Sequence, residues 1–219
     1  MKKILRTICI VCACITGCAC VYLVYRYQNT SARRKPDRYG DVIEQAYSSV
    51  DRDGDGIDDQ TDILQGALTY IAGKPKYKSR YYQTGYPDDE YGVCTDVVAN
   101  ALKSAGYDLM ELVQEDIAED PEDYPIGEPD ANIDFRRVKN LQVFFAHTAV
   151  SLTTDVREIE EWQGGDIVVF HNHIGIVSDH RNKNGVPYVI HHSNPVQGSY
   201  EQDILEIRSD IVGHYRMTE

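Results

Sequence analysis

The stretch GVCTDVVANALKSAG, from Gly92 to Gly106, decides the fold of this chain. It predicts a helix with one buried face, because apolar residues recur three and four positions apart and Gly106 supplies a stop signal. Cys94 stands at or near the first turn of that helix. The partial positive charge of a helix N-terminus favours the thiolate over the thiol, and the thiolate is the nucleophile. The apolar positions are Val97, Val98, Ala101, Leu102 and Ala105.

Cys94 is the only cysteine in the part of the chain that we expect to fold as a globular domain. The other five cysteines lie within the first twenty residues, so Cys94 has no disulfide partner in that domain. A lone cysteine is often a small buried apolar side chain. The catalytic interpretation therefore depends on residues further along the chain. The five other cysteines are Cys9, Cys12, Cys14, Cys18 and Cys20.

Residues 8–25 form an apolar run preceded by three basic residues. This pattern predicts an export signal or a single membrane anchor over residues 1–27. Ile15-Thr16-Gly17-Cys18 resembles the bacterial lipobox, which would make Cys18 the lipid-modified first residue of the mature protein. The apolar run continues beyond Cys18, which favours an uncleaved anchor instead. Both alternatives place the rest of the chain outside the cytoplasmic membrane.

Charge divides the chain into two parts. Residues 1–38 carry eight lysines and arginines and one acidic residue, a net charge of +7. Because the whole chain has a net charge of −13, residues 39–219 carry a net charge of −20. So acidic a domain has no electrostatic surface for nucleic acid, and anionic lipids would repel it. We therefore expect the N-terminal segment to hold the protein at the membrane. Residues 28–38 are polar and basic and predict a linker.

Residues 51–62 read DRDGDGIDDQTD and match the calcium-binding loop of helix–loop–helix proteins. Helical patterns flank this loop on both sides, including Val42, Ile43, Ala46, Tyr47 and Val50 before it, so residues 39–73 predict helix, acidic loop and helix. The twelfth position is aspartate, where such loops usually carry a bidentate glutamate. The alternative is a solvated acidic turn that caps the second helix. We expect structural Ca²⁺ held by Asp51, Asp53, Asp55, Asp59, Asp62 and the carbonyl of Ile57.

Residues 74–90 are rich in tyrosine, glycine and proline and predict a loop that forms one wall of a cleft. Tyr81, Tyr82 and Tyr86 are candidates to line it. Short helices are then expected over residues 107–117 and 138–147.

The last third of the chain predicts an antiparallel sheet. Apolar runs at 165–170, 174–178, 188–191 and 212–217 are separated by Asn- and Gly-containing turns. Helices followed by strands indicate an α+β fold. His173 precedes the second run and His191 closes the third, where the two strands would lie side by side. A histidine at a strand end near a cysteine at a helix start suits thiol activation.

The motifs GDIVVF, HIGIVSD and VIHHS resemble the signature of the NlpC-type cell-wall cysteine peptidases, with GVCTDVV where that family has DCSGLV. The similarity is closer to the bacterial domain of unknown function (DUF) family 1287. Members of that family resemble this chain through GVCTDVV, PDANIDFRRVKNL, GGDIVVF, HIGIVSD and the closing GHYR, in that order, over residues 64–217. The resemblance implies a papain-like fold over residues 74–219, with the nucleophile-bearing helix packed on an antiparallel sheet.

Matched by position, the resemblance implies that Cys94 is the nucleophile and His173 the general base and acid. His191 would then be the polar residue that orients His173. If the strand runs one residue longer, His192 takes that role. Asp96 follows in the same motif and could shape the site, bind a substrate amine or simply favour the helix dipole. Tyr86 is a possible supporting residue.

These inferences predict a membrane-tethered, extracytoplasmic cysteine hydrolase that cleaves amide bonds in peptidoglycan stem peptides. Its partners would be peptidoglycan or its peptide fragments and the membrane, and no organic cofactor is expected. One alternative is a thiol acyltransferase or amidase that acts on a substrate other than the wall. The other is a non-catalytic, calcium-dependent wall-binding module with the same fold.

Overall fold

A computed structural model of the chain describes residues 2–40, 43–45 and 47–217. Its helices are α1 (Lys2–Arg26), α2 (Asp59–Ala72), α3 (Cys94–Ser104), α4 (Leu109–Glu119), α5 (Ala131–Asp134) and α6 (Val138–Thr148), with a 3-10 turn at Pro121–Asp123. Its strands are β1 (Lys76–Tyr77), β2 (Tyr91–Gly92), β3 (Val150–Ser151), β4 (Ile167–Phe170), β5 (His173–Arg181), β6 (Pro187–Ile190), β7 (Glu201–Gln202) and β8 (Ile211–Arg216).

The main sheet has six strands in the order β3-β8-β4-β5-β6-β7, and every neighbouring pair is antiparallel. Phe170 pairs with His173 across β4 and β5, and Ile176 pairs with Ile190 across β5 and β6. This register brings the first residue of β5 and the last residue of β6 to the same end of the two strands. The α+β fold with an antiparallel sheet is therefore confirmed.

Helix α3 is buried between α2 and the sheet. Its apolar stripe is fully removed from solvent and packs against α2 and β5. Burying one aliphatic side chain stabilises a fold by about 1.5–3 kcal/mol. This packing therefore fixes α3, and the cysteine that begins it, on the sheet. The buried stripe consists of Val97, Val98, Ala101, Leu102 and Ala105.

Asp166 joins three parts of the domain from a fully buried position. Its carboxylate accepts hydrogen bonds from Gln60 Nε2 at 2.8 Å and from His214 Nε2 at 2.9 Å. Arg216 Nε donates to the same group at 2.6 Å. The motifs GGDIVVF and GHYR thus meet in one buried hydrogen-bonded network.

The helix expected before the acidic loop is wrong for the residues that the structure describes. Residues 43–45 and 47–50 contain no helix, and Val42 and Ala46 lie outside the described residues. The segment instead bonds to the start of α2: Ser48 N donates to Asp58 Oδ1 at 2.9 Å, and Asp59 N donates to Val50 O at 2.9 Å. A ten-residue helix is marginal on its own, so these hydrogen bonds with the start of α2 prevail.

The segment expected to be a linker is bound to the domain surface. We call residues 28–39 the strap. Arg34 forms ion pairs with Asp179 and, at 3.1 Å, with the buried Glu201, and its Nη2 also donates to Ser178 Oγ at 2.9 Å. Ser31 forms a parallel bridge with Ser199 beside the sheet. Arg34 of the strap is therefore neutralised by acidic residues of the domain.

Helix α1 precedes the strap. Residues Ile4–Arg26 reach a mean hydropathy of 2.4 over a length sufficient to cross a membrane. Its described side chains, including that of Cys18, are almost all exposed. This apolar helix is compatible with a membrane anchor or with a signal sequence.

Candidate functional site

Cys94 is the first residue of α3, as the sequence predicts. The preceding residue, Val93, is extended, and its amide donates to Asp96 Oδ2 at 2.8 Å. Because the acceptor lies three residues further on in the helix, this bond satisfies a backbone donor that the helix leaves unpaired. The start of α3 is thus fixed at Cys94.

The Cys94 sulfur lies against the amide N–H of Ile174, the residue that follows His173. Burial raises the pKa of the thiol to about 11, against the smaller opposing effect of the amides of Ile174 and Thr95. Burial of this half-buried residue therefore opposes the thiolate that the sequence analysis expects at the helix N-terminus. Among the described residues, no hydrogen bond joins this sulfur to a histidine ring.

His173 and His191 form a direct pair. His173 Nε2 lies 2.8 Å from His191 Nδ1, and the two rings meet edge to face with centroids 4.9 Å apart. Both side chains are buried. His173 begins β5 and His191 immediately follows β6, so the sheet register places them together. Gly175 permits this approach, because a Cβ there would lie 3.1 Å from the Cβ of His191.

Both histidines are neutral at physiological pH. Burial lowers the pKa of His173 to about 4, and burial together with the neighbouring His173 lowers the pKa of His191 to about 3. The pair therefore shares a single proton between its two facing nitrogens. His173 Nδ1 makes no hydrogen bond to the described residues. The side chain of Gln202 interacts with His191 and partly opposes the lowering of its pKa.

The geometry distinguishes His191 from His192. The His192 ring sits between Tyr77 and Tyr200, with centroids 5.2 Å and 5.0 Å away, and both of its nitrogens are buried without a partner. Burial lowers the pKa of His192 to about 4. His191 rather than His192 therefore holds the bond to His173, and β6 ends at Ile190, one residue earlier than the sequence predicts.

Tyr77 belongs to the site, and the sequence analysis missed it. Burial and then the nearby thiol of Cys94 raise the pKa of Tyr77. The parallel pairing of β1 with β2 sets Tyr77 opposite Gly92, two residues before the cysteine. Tyr77 is one of several tyrosines in a loop, and no local pattern distinguishes it from the others.

Arg208 is a second residue that the sequence analysis missed. Its guanidinium lies 4.1 Å from the centroid of the Phe170 ring, and that ring is 6.0 Å from the ring of His173. After burial, the charge of Arg208 is the largest influence that lowers the pKa of His173. Asp210 partly neutralises this charge through an ion pair of 2.6 Å.

Asp96 lies in a buried ion pair. Arg136 Nε and Nη2 donate to its two carboxylate oxygens at 2.7 Å and 2.9 Å, and both side chains are almost fully buried. Arg136 Nη1 also donates to the carbonyl of Arg80 at 2.6 Å. These partners occupy Asp96, so it positions the start of α3 and has no free oxygen for a substrate amine.

Tyr86 lies beside the opposite end of α3. Its hydroxyl donates to Asp108 Oδ1 at 2.8 Å, and the Lys103 ammonium is 4.0 Å from its ring centroid. The other two tyrosines bond elsewhere, with Tyr82 donating to Asp89 and Tyr81 to Asp130. The structure therefore does not bring Tyr86 to the histidine pair.

The acidic loop lies apart from the cysteine, against the C-terminal end of α3. Asp51, Asp53 and Asp55 each place a carboxylate oxygen within 4.8 Å of the others. Gly106, which follows α3, would meet Asp53 Cβ at 3.1 Å if it carried a Cβ. The catalytic and metal-binding predictions therefore concern separate places at the two ends of one helix. The remaining predicted ligands are Ile57, Asp59 and Asp62.

Comparison with known proteins identifies a family. The family model described as Domain of unknown function (DUF1287) matches residues 64–217. An uncharacterized protein, YijF, of Escherichia coli (strain K12) is 40% identical over 167 residues, which covers 70% of this chain and 80% of YijF. No solved structure matches. The chain therefore belongs to the DUF1287 family.

We expect alkylation of Cys94 by iodoacetamide to accelerate about tenfold per pH unit between pH 7 and pH 10, because the thiolate fraction of a thiol with a pKa of about 11 rises in that proportion. Mass spectrometry of the peptide that contains Cys94 measures the rate, and alkylation of a small free thiol in the same solution serves as the control. A rate that is already constant at pH 7 would contradict a neutral resting thiol.

Asp96→Asn should destabilise the protein by about 3–5 kcal/mol, because it leaves the Arg136 guanidinium buried beside an uncharged amide. Denaturant-induced unfolding measures the loss. The matched control is Asp155→Asn, which removes an ion pair with the exposed Arg157 and should change the unfolding free energy by less than about 1 kcal/mol. Equal losses in the two variants would argue against a structural role for Asp96.

Proposed function

We propose that this DUF1287 protein is a cysteine hydrolase, held outside the cytoplasmic membrane, that cleaves amide bonds in peptidoglycan stem peptides. Cys94 is the nucleophile, His173 the general base and acid, and His191 the residue that orients His173. One observation carries the proposal. The only cysteine of the globular domain lies against the backbone beside His173, whose ring is hydrogen bonded at 2.8 Å to a second buried histidine.

The proposed reaction begins with proton transfer from Cys94 to His173 Nδ1 as the sulfur attacks the amide carbonyl carbon. The C–N bond of the tetrahedral intermediate then breaks, a thioester remains on Cys94, and His173 returns the proton to the leaving amine. Water attacks the thioester with His173 as base, which releases the carboxylic acid and restores the thiol. The backbone N–H of Cys94, at the helix start, is a donor for the oxyanion.

The histidine pair supports this assignment through its tautomers. When His173 Nε2 donates to His191 Nδ1, the lone pair of His173 is on Nδ1, which is free to accept the thiol proton. The opposite arrangement places a proton on Nδ1 and removes the base. In the first arrangement His191 orients the ring and holds the active tautomer, as the third member of a catalytic triad does.

The resting pKa values favour proton transfer during attack over a preformed ion pair. The thiol has a pKa of about 11 and His173 of about 4, so the proton stays on sulfur until substrate is bound. Catalytic hydrogen bonds are often long in free enzymes and shorten in the complex with substrate. The thiol and His173 Nδ1 then need to come within about 3–3.5 Å.

The substrate class rests on the resemblance of GVCTDVV, GGDIVVF and HIGIVSD to the motifs of the NlpC-type cell-wall peptidases. The papain-like interpretation of the fold has the same basis. The location rests on α1, which is long and apolar enough for a membrane anchor. The proposal has two forms: either the helix itself anchors the protein, or a lipid on Cys18 does.

We expect Cys94→Ala to reduce the release of peptide fragments from defined muropeptides by at least about a thousandfold, because the nucleophile is lost. Mass spectrometry of the digest measures the release and identifies the bond that is cut. The control is Asp88→Asn, an exposed position that should retain full activity. Undiminished release by Cys94→Ala would exclude this mechanism.

His191→Asn should retain more activity than His191→Ala, because the asparagine carbonyl can still accept from His173 Nε2. Equal activity of these two variants would contradict the orienting role. Transfer of the peptide to an added amine in place of water would identify an acyltransferase.

A further inference from the structure

The acidic loop, residues 51–62, contains carboxylates that converge at one point. The oxygens of Asp51, Asp53 and Asp55 lie within 4.8 Å of one another at the surface. Two glycines with positive φ, Gly54 at 75° and Gly56 at 95°, give the turn that brings them together. Three exposed carboxylates alone do not define a site, since acidic surface clusters are common.

Asp62 supplies an independent indication of a ligand. The residue is only 8% exposed, and its Oδ2 is buried without any hydrogen-bond partner. Burial raises its pKa to about 6, and the next contributions come from Asp55 and Asp53. Asp55 and Asp53 are the charged groups that act on it most strongly, so the Asp62 carboxylate lies near those of the loop. A buried oxygen without a partner is costly, and a bound cation would satisfy it.

Asp59 and Asp58 have other roles. Asp59 Oδ1 accepts from Arg52 N at 2.8 Å, and its Oδ2 accepts from the hydroxyl of Tyr107. Asp58 is the N-cap of α2 and accepts from Thr61. Asp59 is thus turned towards the domain interior, and the ligand set expected from the sequence is revised to exclude it from direct coordination.

We propose that Asp51, Asp53, Asp55 and Asp62, together with the carbonyl of Ile57, bind one calcium ion. All of these ligands are oxygens, which hard cations prefer. Zinc prefers nitrogen and sulfur ligands, so the loop does not suit zinc. An irregular loop of four carboxylates and a carbonyl accommodates the six to eight flexible bonds of Ca²⁺. The compact octahedron of Mg²⁺ requires a more regular arrangement.

The bound ion would fasten the loop to the end of α3 that is remote from Cys94. Arg52 Nε donates to the carbonyl of Gly106 at 3.1 Å, and Ser104 Oγ donates to the carbonyl of Asp62 at 3.0 Å. The loop therefore touches α3 through both of its ends. Because no ligand touches the histidine pair, the proposal is independent of the proposed hydrolase activity, and its consequence is stability.

The test uses the full chain in detergent micelles after removal of divalent cations by a chelator. Calorimetric titration with Ca²⁺ should give one site with a Kd between about 10⁻⁵ and 10⁻³ M. Saturating Ca²⁺ should raise the Tm, because the ion binds the folded state only. Mg²⁺ at the same concentration should bind at least about tenfold more weakly.

Two isosteric variants, Asp62→Asn and Asp53→Asn, should each weaken Ca²⁺ binding by about tenfold or more and reduce the increase in Tm. Asp88→Asn, which removes an exposed carboxylate outside the loop, should bind Ca²⁺ as the wild type does. Because Asp53 is exposed, its variant is expected to fold even if Asp62→Asn does not.

Absence of both heat and a Tm shift in the wild type would overturn the proposal. Unchanged affinity in Asp62→Asn would also overturn it, because the ion would then rest on exposed carboxylates alone. Equal affinity for Mg²⁺ and Ca²⁺ would exclude a calcium-selective site.

Discussion

The packing of α3 across β5 determines the position of every group at the candidate site. The helix contributes Cys94 at its first residue, and the strand contributes His173 at its first residue. The apolar stripe of α3 fixes the distance between the two elements, and the buried Asp96–Arg136 pair fixes where the helix begins. Since protein interiors are packed as densely as crystals, neither end can move without disturbing the core.

Burial outweighs the helix dipole at this sulfur. A favourable charge at a helix end is worth typically 0.3–1 kcal/mol, which is less than one pKa unit, whereas full burial can shift a pKa by about 3–5 units. The pKa of Cys94 is accordingly raised, although the amides of Thr95 and Ile174 oppose the effect. A cysteine at a helix N-terminus is thus an activated nucleophile only when it is also accessible or paired with a base.

Sequence analysis predicted the helices and strands whose apolar residues recur at a regular spacing. The helices over 94–104 and 138–148 and the strands that carry His173 and precede His191 all follow from the spacing of apolar residues. Sequence reasoning failed where distant partners decide the outcome. The segment before the acidic loop is not helical because its backbone bonds to the start of α2. The strap looked like a solvated linker because the acidic partners of Arg34 come more than 140 residues later.

The candidate site likewise contains residues that sequence motifs indicate and residues that only tertiary contacts bring together. Cys94, His173 and His191 could be found from motif order and strand ends, and the structure brings both histidines to one edge of the sheet. Asp96 carried no signal that its partner would be Arg136, forty residues away. Tyr77 and Arg208 approach the cysteine and His173 only through tertiary contacts. Individual side chains that surround a reactive pair are therefore the least predictable part of such a site.

The strap limits the distance between the candidate site and helix α1. Helix α1 ends at Arg26, and only two residues later the side chain of Gln28 bonds to both backbone groups of Tyr77, at 2.7 Å and 2.9 Å. Two extended residues span about 7 Å. When α1 is embedded in a bilayer, Tyr77, which lies near Cys94, stays within roughly a nanometre of the headgroups. Any molecule that contacts this part of the protein would then have to come within that distance of the lipid surface.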